Sequence, residues 1–131
     1  KLFLAQIESF AAAHEGDASL AEFIAPLREK AAEWAKLTRS ILQRAAGDAE
    51  EIGAASHDYL FYSGYVALAY WWARSVAAAD ASSHPESFKQ AKRETARFYF
   101  ARILPRTLTH AAVIESGAAP VMAMEAERFG A

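Results

Sequence analysis

The chain contains four histidines, whose imidazole rings could bind a metal or transfer a proton. His14, His57, His84 and His110 fall one to a predicted segment. Di-iron helical bundles place a glutamate three residues before a ligating histidine, because those two positions share a helix face. None of the four histidines has a glutamate at that spacing. The sequence therefore predicts no metal site and favours surface or helix-capping roles for these histidines.

Other catalytic arrangements fail on geometry or composition. Consecutive helical residues point about 100° apart, so Ser56, His57 and Asp58 cannot converge as a triad. The chain has no cysteine and its six glycines are isolated, which excludes thiolate chemistry and glycine-rich phosphate loops. Five glutamates are candidates for a general acid or base. A charge at a helix start or a position on a solvated face explains them better than catalysis does. They are Glu50, Glu51, Glu115, Glu125 and Glu127. We predict no catalytic residue, and the sequence assigns no residue to a cofactor.

Helices must position whatever function the chain has. It holds four prolines and six glycines, and no segment alternates apolar and polar residues between turn dipeptides. We predict an all-α fold, an up-and-down four-helix bundle with a short C-terminal helix. The predicted helices cover residues 2–13, 19–46, 48–79, 85–116 and 120–129, with a kink in the fourth at Pro105.

Apolar spacing predicts which side of each helix faces the core. Helix two opens with a capping box of Ser19 and Glu22, and its seam runs from Leu20 to Ala45. The predicted stripe of helix four consists of Phe88, Ala91, Thr95, Phe98, Arg102, Leu108, Ala112 and Glu115. We expect the methionines of the tail helix, Met122 and Met124, to fill gaps in the packing.

Charge and length limit the partners and the location of the chain. The net charge is -2 and the basic residues are dispersed, so we expect no nucleic-acid binding. The charge-free run of residues 59–73 is shorter than the roughly 20 apolar residues of a membrane span. We therefore expect no membrane span, and the cytoplasm is the default location.

The start of the chain bears on its domain organisation. Residues 1–131 have the length of one domain, they lack an initiator methionine, and an apolar stripe begins in the first helical turn. We expect a single helical bundle domain, residues 1–131, that is a C-terminal fragment of a larger protein.

Helix three is the most informative segment. From Tyr59 to Ala73 it carries no charge, and its aromatic residues cannot all lie on one face. A helix that is apolar all round must be buried on several sides. We predict a second buried face that meets another domain or pairs with a second copy of helix three. The interface candidates are Phe61, Tyr65 and Trp72, which lie along one side of the helix.

Three stretches in succession carry a resemblance to a known family. They are residues 57–72, which begin His-Asp-Tyr-Leu, residues 96–105 with Ala-Arg-Phe-Tyr and Leu-Pro, and residues 117–129 with Gly-Ala-Ala and Met-Ala-Met-Glu-Ala-Glu. Their order and spacing resemble the extra C-terminal helical domain of the longer FAD-dependent acyl-CoA dehydrogenases.

The resemblance implies a parent enzyme that oxidises acyl-CoA thioesters at the α,β carbons. It places the glutamate base and most flavin contacts in preceding domains, which become the expected partners. FAD is then expected in the parent enzyme and none in this fragment alone. The alternative is a stand-alone ligand-binding or regulatory bundle with a pocket lined by tyrosine and tryptophan. An independent enzyme is disfavoured because no acid-base, metal or nucleophile arrangement survives helical geometry.

Overall fold

The computed structural model describes residues 2–130, and within them the chain is helical, with no strand. The predicted all-α fold is confirmed. The helices are α1 (Leu2–Ala13), α2 (Ala21–Ala45), α3 (Glu50–Asp80), α4 (Glu86–Phe98), α5 (Thr107–Ser116) and α6 (Ala119–Met122). A π-helical turn at Tyr99–Ile103 and a 3-10 turn at Leu104–Arg106 join α4 to α5, so these two form one interrupted rod.

Helix α3 lies at the centre of the fold because the other long helices pack against it. It contacts α2, α4 and α5, while α1 packs on α2 and reaches α3 through aromatic contacts. Phe3 and Phe10 of α1 meet the ring of Tyr70 edge-on, at centroid distances of 5.2 and 5.7 Å. None of the helices in residues 2–130 combines the length and the apolar character that crossing a bilayer requires.

The interruption between α4 and α5 follows from Pro105. Proline has no backbone N–H, so a regular helix cannot continue through it without losing a hydrogen bond. The chain adapts before the proline: the Leu104 N–H donates to the carbonyl of Tyr99, five residues earlier, as in a π-helix. The kink predicted at Pro105 is therefore present, and helix α5 restarts at Thr107.

The predicted stripe of helix four is wrong. Its apolar members Phe88, Phe98 and Leu108 are exposed, whereas Ala96, Tyr99, Leu104, Thr107, Ala111 and Ile114 are buried. Ion pairs accompany this rotation of α4. Arg97 donates two hydrogen bonds of 2.8 Å to the carboxylate of Glu22 on α2, and the guanidinium of Arg93 pairs with Asp80 at the end of α3. In this rotation Arg93 and Arg97 contact the neighbouring helices, and Phe88 and Phe98 face solvent.

Two predicted helix ends are also corrected. Ser19 and Glu22 form no capping box, because the Ser19 amide and hydroxyl both donate to the carboxylate of Asp17, and Glu22 binds Arg97 instead. The tail is not one helix over residues 120–129. It consists of the four-residue helix α6 and a separate 3-10 turn at Ala126–Arg128. Met122 and Met124 are exposed, so they do not fill gaps in the core.

A buried ion pair ties α2, α3 and α5 together at one end of the bundle. The Glu51 carboxylate accepts hydrogen bonds from Arg44 Nε at 2.8 Å and from the Ala118 N–H at 3.1 Å. Arg44 also donates to the carbonyl of Ile114 at 2.8 Å, in the last turn of α5. Glu51 was predicted to be a helix-start or solvated acid. It does lie in the first turn of α3, but its side chain is largely buried in this contact, which the sequence did not predict.

The close approach of α5 to Glu51 requires glycine at position 117. Gly117 has a φ of +72°, and a Cβ there would lie 2.9 Å from Glu51 Oε1. A side chain would therefore be strained by the backbone and would collide with the carboxylate.

Glu51 should make the stability of the bundle pH-dependent. The hydrogen bond from Arg44, together with that from the Ala118 amide, holds the pKa of Glu51 below its ordinary value of 4.5. A carboxylate whose pKa is lowered by folding stabilises the folded state above its unfolded pKa, and this contribution disappears as the pH falls through the folded pKa. We predict that Glu51→Gln lowers the melting temperature at neutral pH and that the deficit shrinks below about pH 4.5.

The measurement is thermal unfolding of wild type, Glu51→Gln and Glu50→Gln across the acidic range. Glu50 is the matched control because it is the exposed neighbour in the same helical turn, and the comparison is made at a protein concentration low enough to keep the chain monomeric. A Glu51→Gln deficit that stays constant from neutral to acidic pH would contradict an ionised Glu51 in the folded state.

Candidate docking surface

The side of α3 that faces away from the bundle is apolar along most of its length. Leu60 is 70% exposed, Leu68 51% and Trp71 53%. The opposite side is covered, since Tyr62, Val66, Ala69, Ala73 and Val76 are all fully buried. The charge-free segment therefore has one face in the core and one face in solvent. We call the exposed face, with Leu60, Leu68 and Trp71, the outer face of α3.

An open groove runs beside the outer face, between α3 and α2. It has a volume of about 610 Å³ and is lined by Thr38, Ile41, Leu42, Ile52, Ala55, Ser56, Tyr59, Leu60 and Ser63. A hydrogen bond of 2.8 Å joins the hydroxyls of Thr38 and Tyr59. The remaining lining is mostly aliphatic, so the groove extends the apolar surface of α3 towards α2.

The predicted interface candidates lie at the edge of this surface. Phe61 is 44% exposed, whereas Tyr65 and Trp72 are half-buried and pack against the core. The ring of Trp72 lies 6.5 Å from that of Tyr99. Their role as an interface stays a prediction. The structure adds Leu60, Leu68 and Trp71 as the more exposed neighbours, which the sequence prediction missed because helical spacing alone does not distinguish an exposed side from a buried one.

Asp58 and His110 form a polar contact between α3 and α5. Asp58 Oδ1 lies 2.7 Å from His110 Nδ1, and each side chain is 17% exposed. The imidazole stacks on Phe61, with ring centroids 5.5 Å apart and planes 14° from parallel. A surface or capping role was predicted for His110, and that prediction is wrong. No local sequence signal joins two residues that are 52 positions apart.

The Asp58–His110 contact joins α3 to α5 and does not form a nucleophilic site. An aspartate that orients a histidine becomes a nucleophilic site only when the other ring nitrogen faces a serine, threonine or cysteine. The rings of Phe61 and Tyr65 pack on this imidazole, and within residues 2–130 its one hydrogen bond is that with Asp58, with none from the other ring nitrogen to a serine or threonine. The contact therefore fixes α5 against the edge of the outer face.

The apolar groove does not fit a dinucleotide cofactor. A pyrophosphate needs basic side chains or converging backbone N–H groups. The lining of the groove contains no lysine or arginine, and its polar groups are four hydroxyls. Within residues 2–130 no group of three or more histidine, aspartate or glutamate side chains could hold a metal ion. The surface can bury apolar groups, and that is the chemistry it offers.

The comparison with known families matches nearly the whole chain. The protein-family model described as "Acetyl-CoA dehydrogenase C-terminal like" matches residues 3–125. This range includes α1 from its second residue, all of α2 to α6, and therefore the outer face of α3. Among curated proteins, no sequence matches the chain.

The outer face should tolerate charge, since its residues do not hold the bundle together. We predict that Leu60→Glu and Leu68→Glu each change the free energy of unfolding by no more than about 0.5 kcal/mol at low protein concentration. Ala69→Glu is the contrasting variant on the buried side of α3 and should unfold the chain, because it buries an unpaired charge. Denaturant unfolding measures all three. Loss of the fold in Leu60→Glu would show that the outer face is covered within the chain.

Proposed function

We propose that this chain, which belongs to the acetyl-CoA dehydrogenase C-terminal like family, is a non-catalytic helical module of an FAD-dependent acyl-CoA dehydrogenase. In this proposal residues 1–131 form one bundle, and the outer face of α3 docks on a helical surface of the assembled enzyme. The preceding domains of the dehydrogenase or another subunit supply that surface. The proton-removing glutamate and the flavin belong to the rest of the enzyme, as the resemblance implies.

The uncovered apolar face of α3 is the observation that carries the proposal. Full burial of a large apolar side chain stabilises by about 1.5 to 3 kcal/mol, so covering the exposed half of Leu60, Leu68 and Trp71 gives roughly 1 kcal/mol each. A surface helix of a monomer normally turns polar residues outward. An apolar outward face is typical of a docking site.

The polar contacts of the bundle support a structural role. Arg44, Arg93 and Arg97 are engaged in ion pairs that join helices of the chain. These ion pairs add contacts between helices and leave the arginines without a free role in catalysis or phosphate binding. Binding by a preformed surface avoids the entropic cost of ordering it.

A second candidate function follows from the groove between α2 and α3. Its volume lies in the range of about 300 to 1,000 Å³ that is usual for small-molecule sites. The alternative is therefore a stand-alone bundle that binds an apolar ligand. The predicted tyrosine and tryptophan lining is present only in part, since Tyr59 is the one aromatic residue among the lining side chains.

The test of the proposed function uses the complete product of the reading frame that encodes the chain. We predict that this product contains bound flavin and reduces it when an acyl-CoA is added, whereas the purified chain of residues 1–131 takes up no FAD. Visible absorbance measures both. A complete product without flavin, or a chain that alone binds FAD in equal amount, would contradict the proposal.

The docking role is tested in the same complete product. Leu60→Glu combined with Leu68→Glu should lower the thermal stability of the assembled enzyme and leave the rate of flavin reduction in a single turnover unchanged. Leu108→Glu is the control, because it is an exposed leucine that lies on the other side of α5 from His110. Equal melting temperatures for the two kinds of variant would argue against docking through α3. A groove that binds an apolar probe and is emptied by Ile52→Glu would instead support the alternative.

A further inference from the structure

The outer face of α3 contains a continuous seam that alternates spacings of three and four residues. Its members are Glu50, Gly53, His57, Leu60, Gly64, Ala67, Trp71 and Arg74. All of them are exposed except Ala67, which is half-buried. This 3-4 alternation is the repeat by which two helices pack along a shared line. The seam spans about 36 Å, most of the length of α3.

Two glycines in this seam have no explanation inside the bundle. Gly53 and Gly64 lie in the interior of α3, where glycine weakens a helix relative to alanine. A Cβ at either position would meet nothing within 4 Å. The bundle therefore gains no packing from the absence of a side chain. A glycine on an exposed helix face leaves room for a large side chain of a second helix.

We infer that the outer face pairs with the same face of a second copy of the chain, with the two α3 helices antiparallel. The inference rests on the proposed function and names its partner. In one register, with the two-fold axis level with residue 62, Leu60 lies opposite Gly64 and Trp71 lies opposite Gly53. His57 then lies opposite Ala67. Each large seam residue faces a small one, as tight helix packing requires.

Charge selects the same register. When Leu60 faces Gly64, Arg74 at one end of the seam faces Glu50 of the second copy at the other end. Both side chains are exposed, and Arg74 stacks over the ring of Trp71 at 5.2 Å. A two-fold contact repeats this pair, so each dimer contains it twice. The seam is therefore complementary to itself in size and in charge.

In neighbouring registers and in parallel pairing, the opposed seam residues no longer match in size and charge. A shift of seven residues in one direction places Leu60 against Trp71 and His57 against Arg74. A shift in the other direction places Gly53 against Gly64 and leaves a void. Parallel helices bring Glu50 beside Glu50 and Arg74 beside Arg74, and like charges repel.

The size of the seam predicts a reversible dimer. One helix pair buries less surface than the standard protein interface of about 1,600 Å². We expect a dissociation constant in the micromolar range and fast exchange between monomer and dimer. Phe61 and Leu68 flank the seam and add apolar contact at its edge.

The Gly64→Leu variant should have opposite effects on dimerisation and on the stability of the monomer. It fills the space that receives Leu60, so it should weaken dimerisation at least about tenfold, as a lost packing fit of this kind does. It should also raise the melting temperature of the monomer, because leucine is a better helix former than glycine and the position is open. Ala91→Leu on the exposed side of α4 is the control and should leave dimerisation unchanged.

Two compensating variants test the register itself. Leu60→Ala combined with Gly64→Leu exchanges the large and small partners and should restore much of the association. Glu50→Arg and Arg74→Glu should each weaken it about threefold, as an exposed ion pair does, and the double exchange should restore it. Sedimentation equilibrium of the chain over a range of concentrations measures every dissociation constant.

The outcomes separate this inference from the proposed function. A wild type that stays monomeric at all concentrations overturns the inference, and so does a dimer that Gly64→Leu leaves unchanged. If the chain is monomeric and Leu60→Glu with Leu68→Glu still destabilises the complete enzyme, the docking role stands and only its partner is wrong. If the dimer forms and those variants leave the complete enzyme unaffected, the pairing stands and the docking role fails.

Discussion

The central feature of this fold is that the other helices cover α3 on one side only. Tyr62, Val66, Ala69 and Ala73 supply the buried side, on which α2, α4 and α5 converge. A 31-residue helix with a charge-free middle has more apolar surface than these neighbours can cover. The uncovered remainder forms the outer face, and contact with a partner is the role proposed for it because burial of apolar surface is favourable.

Polar contacts between distant parts of the chain hold this arrangement. Arg44 and Glu51 join the ends of α2, α3 and α5, and Asp58 with His110 fixes α5 beside the outer face. Arg97 and Glu22 join α4 to α2. Burial of Ala96 and Tyr99 determines which side of α4 faces the bundle. The ion pairs are consistent with that rotation and add contacts between the helices.

The sequence predicted the elements well and their orientation less well. The ends of α1 and α3 and the break at Pro105 follow from local rules, because glycine, proline and helical periodicity act on their own neighbours. The outward turn of Phe98 and the burial of Glu51 depend on partners far along the chain. The contact of the buried Tyr62 hydroxyl with the Glu33 carboxylate, at 2.7 Å, is of the same kind. Local sequence patterns do not indicate which residues far apart along the chain will contact each other. The seam of α3 was readable from spacing, but only its exposure distinguishes it from a core stripe.

Distances between spin labels in the paired chain test whether two α3 helices pack antiparallel with the two-fold axis at residue 62. The chain has no cysteine, so Ser56→Cys and Ala78→Cys each provide a unique labelling site on an exposed position of α3. Antiparallel pairing centred on residue 62 separates the two labels along the helix axis by about 18 Å for position 56 and about 48 Å for position 78. Double electron–electron resonance at high protein concentration measures both separations. Antiparallel pairing predicts this pronounced difference, whereas equal short distances at both positions, or no dipolar coupling at either, would contradict it.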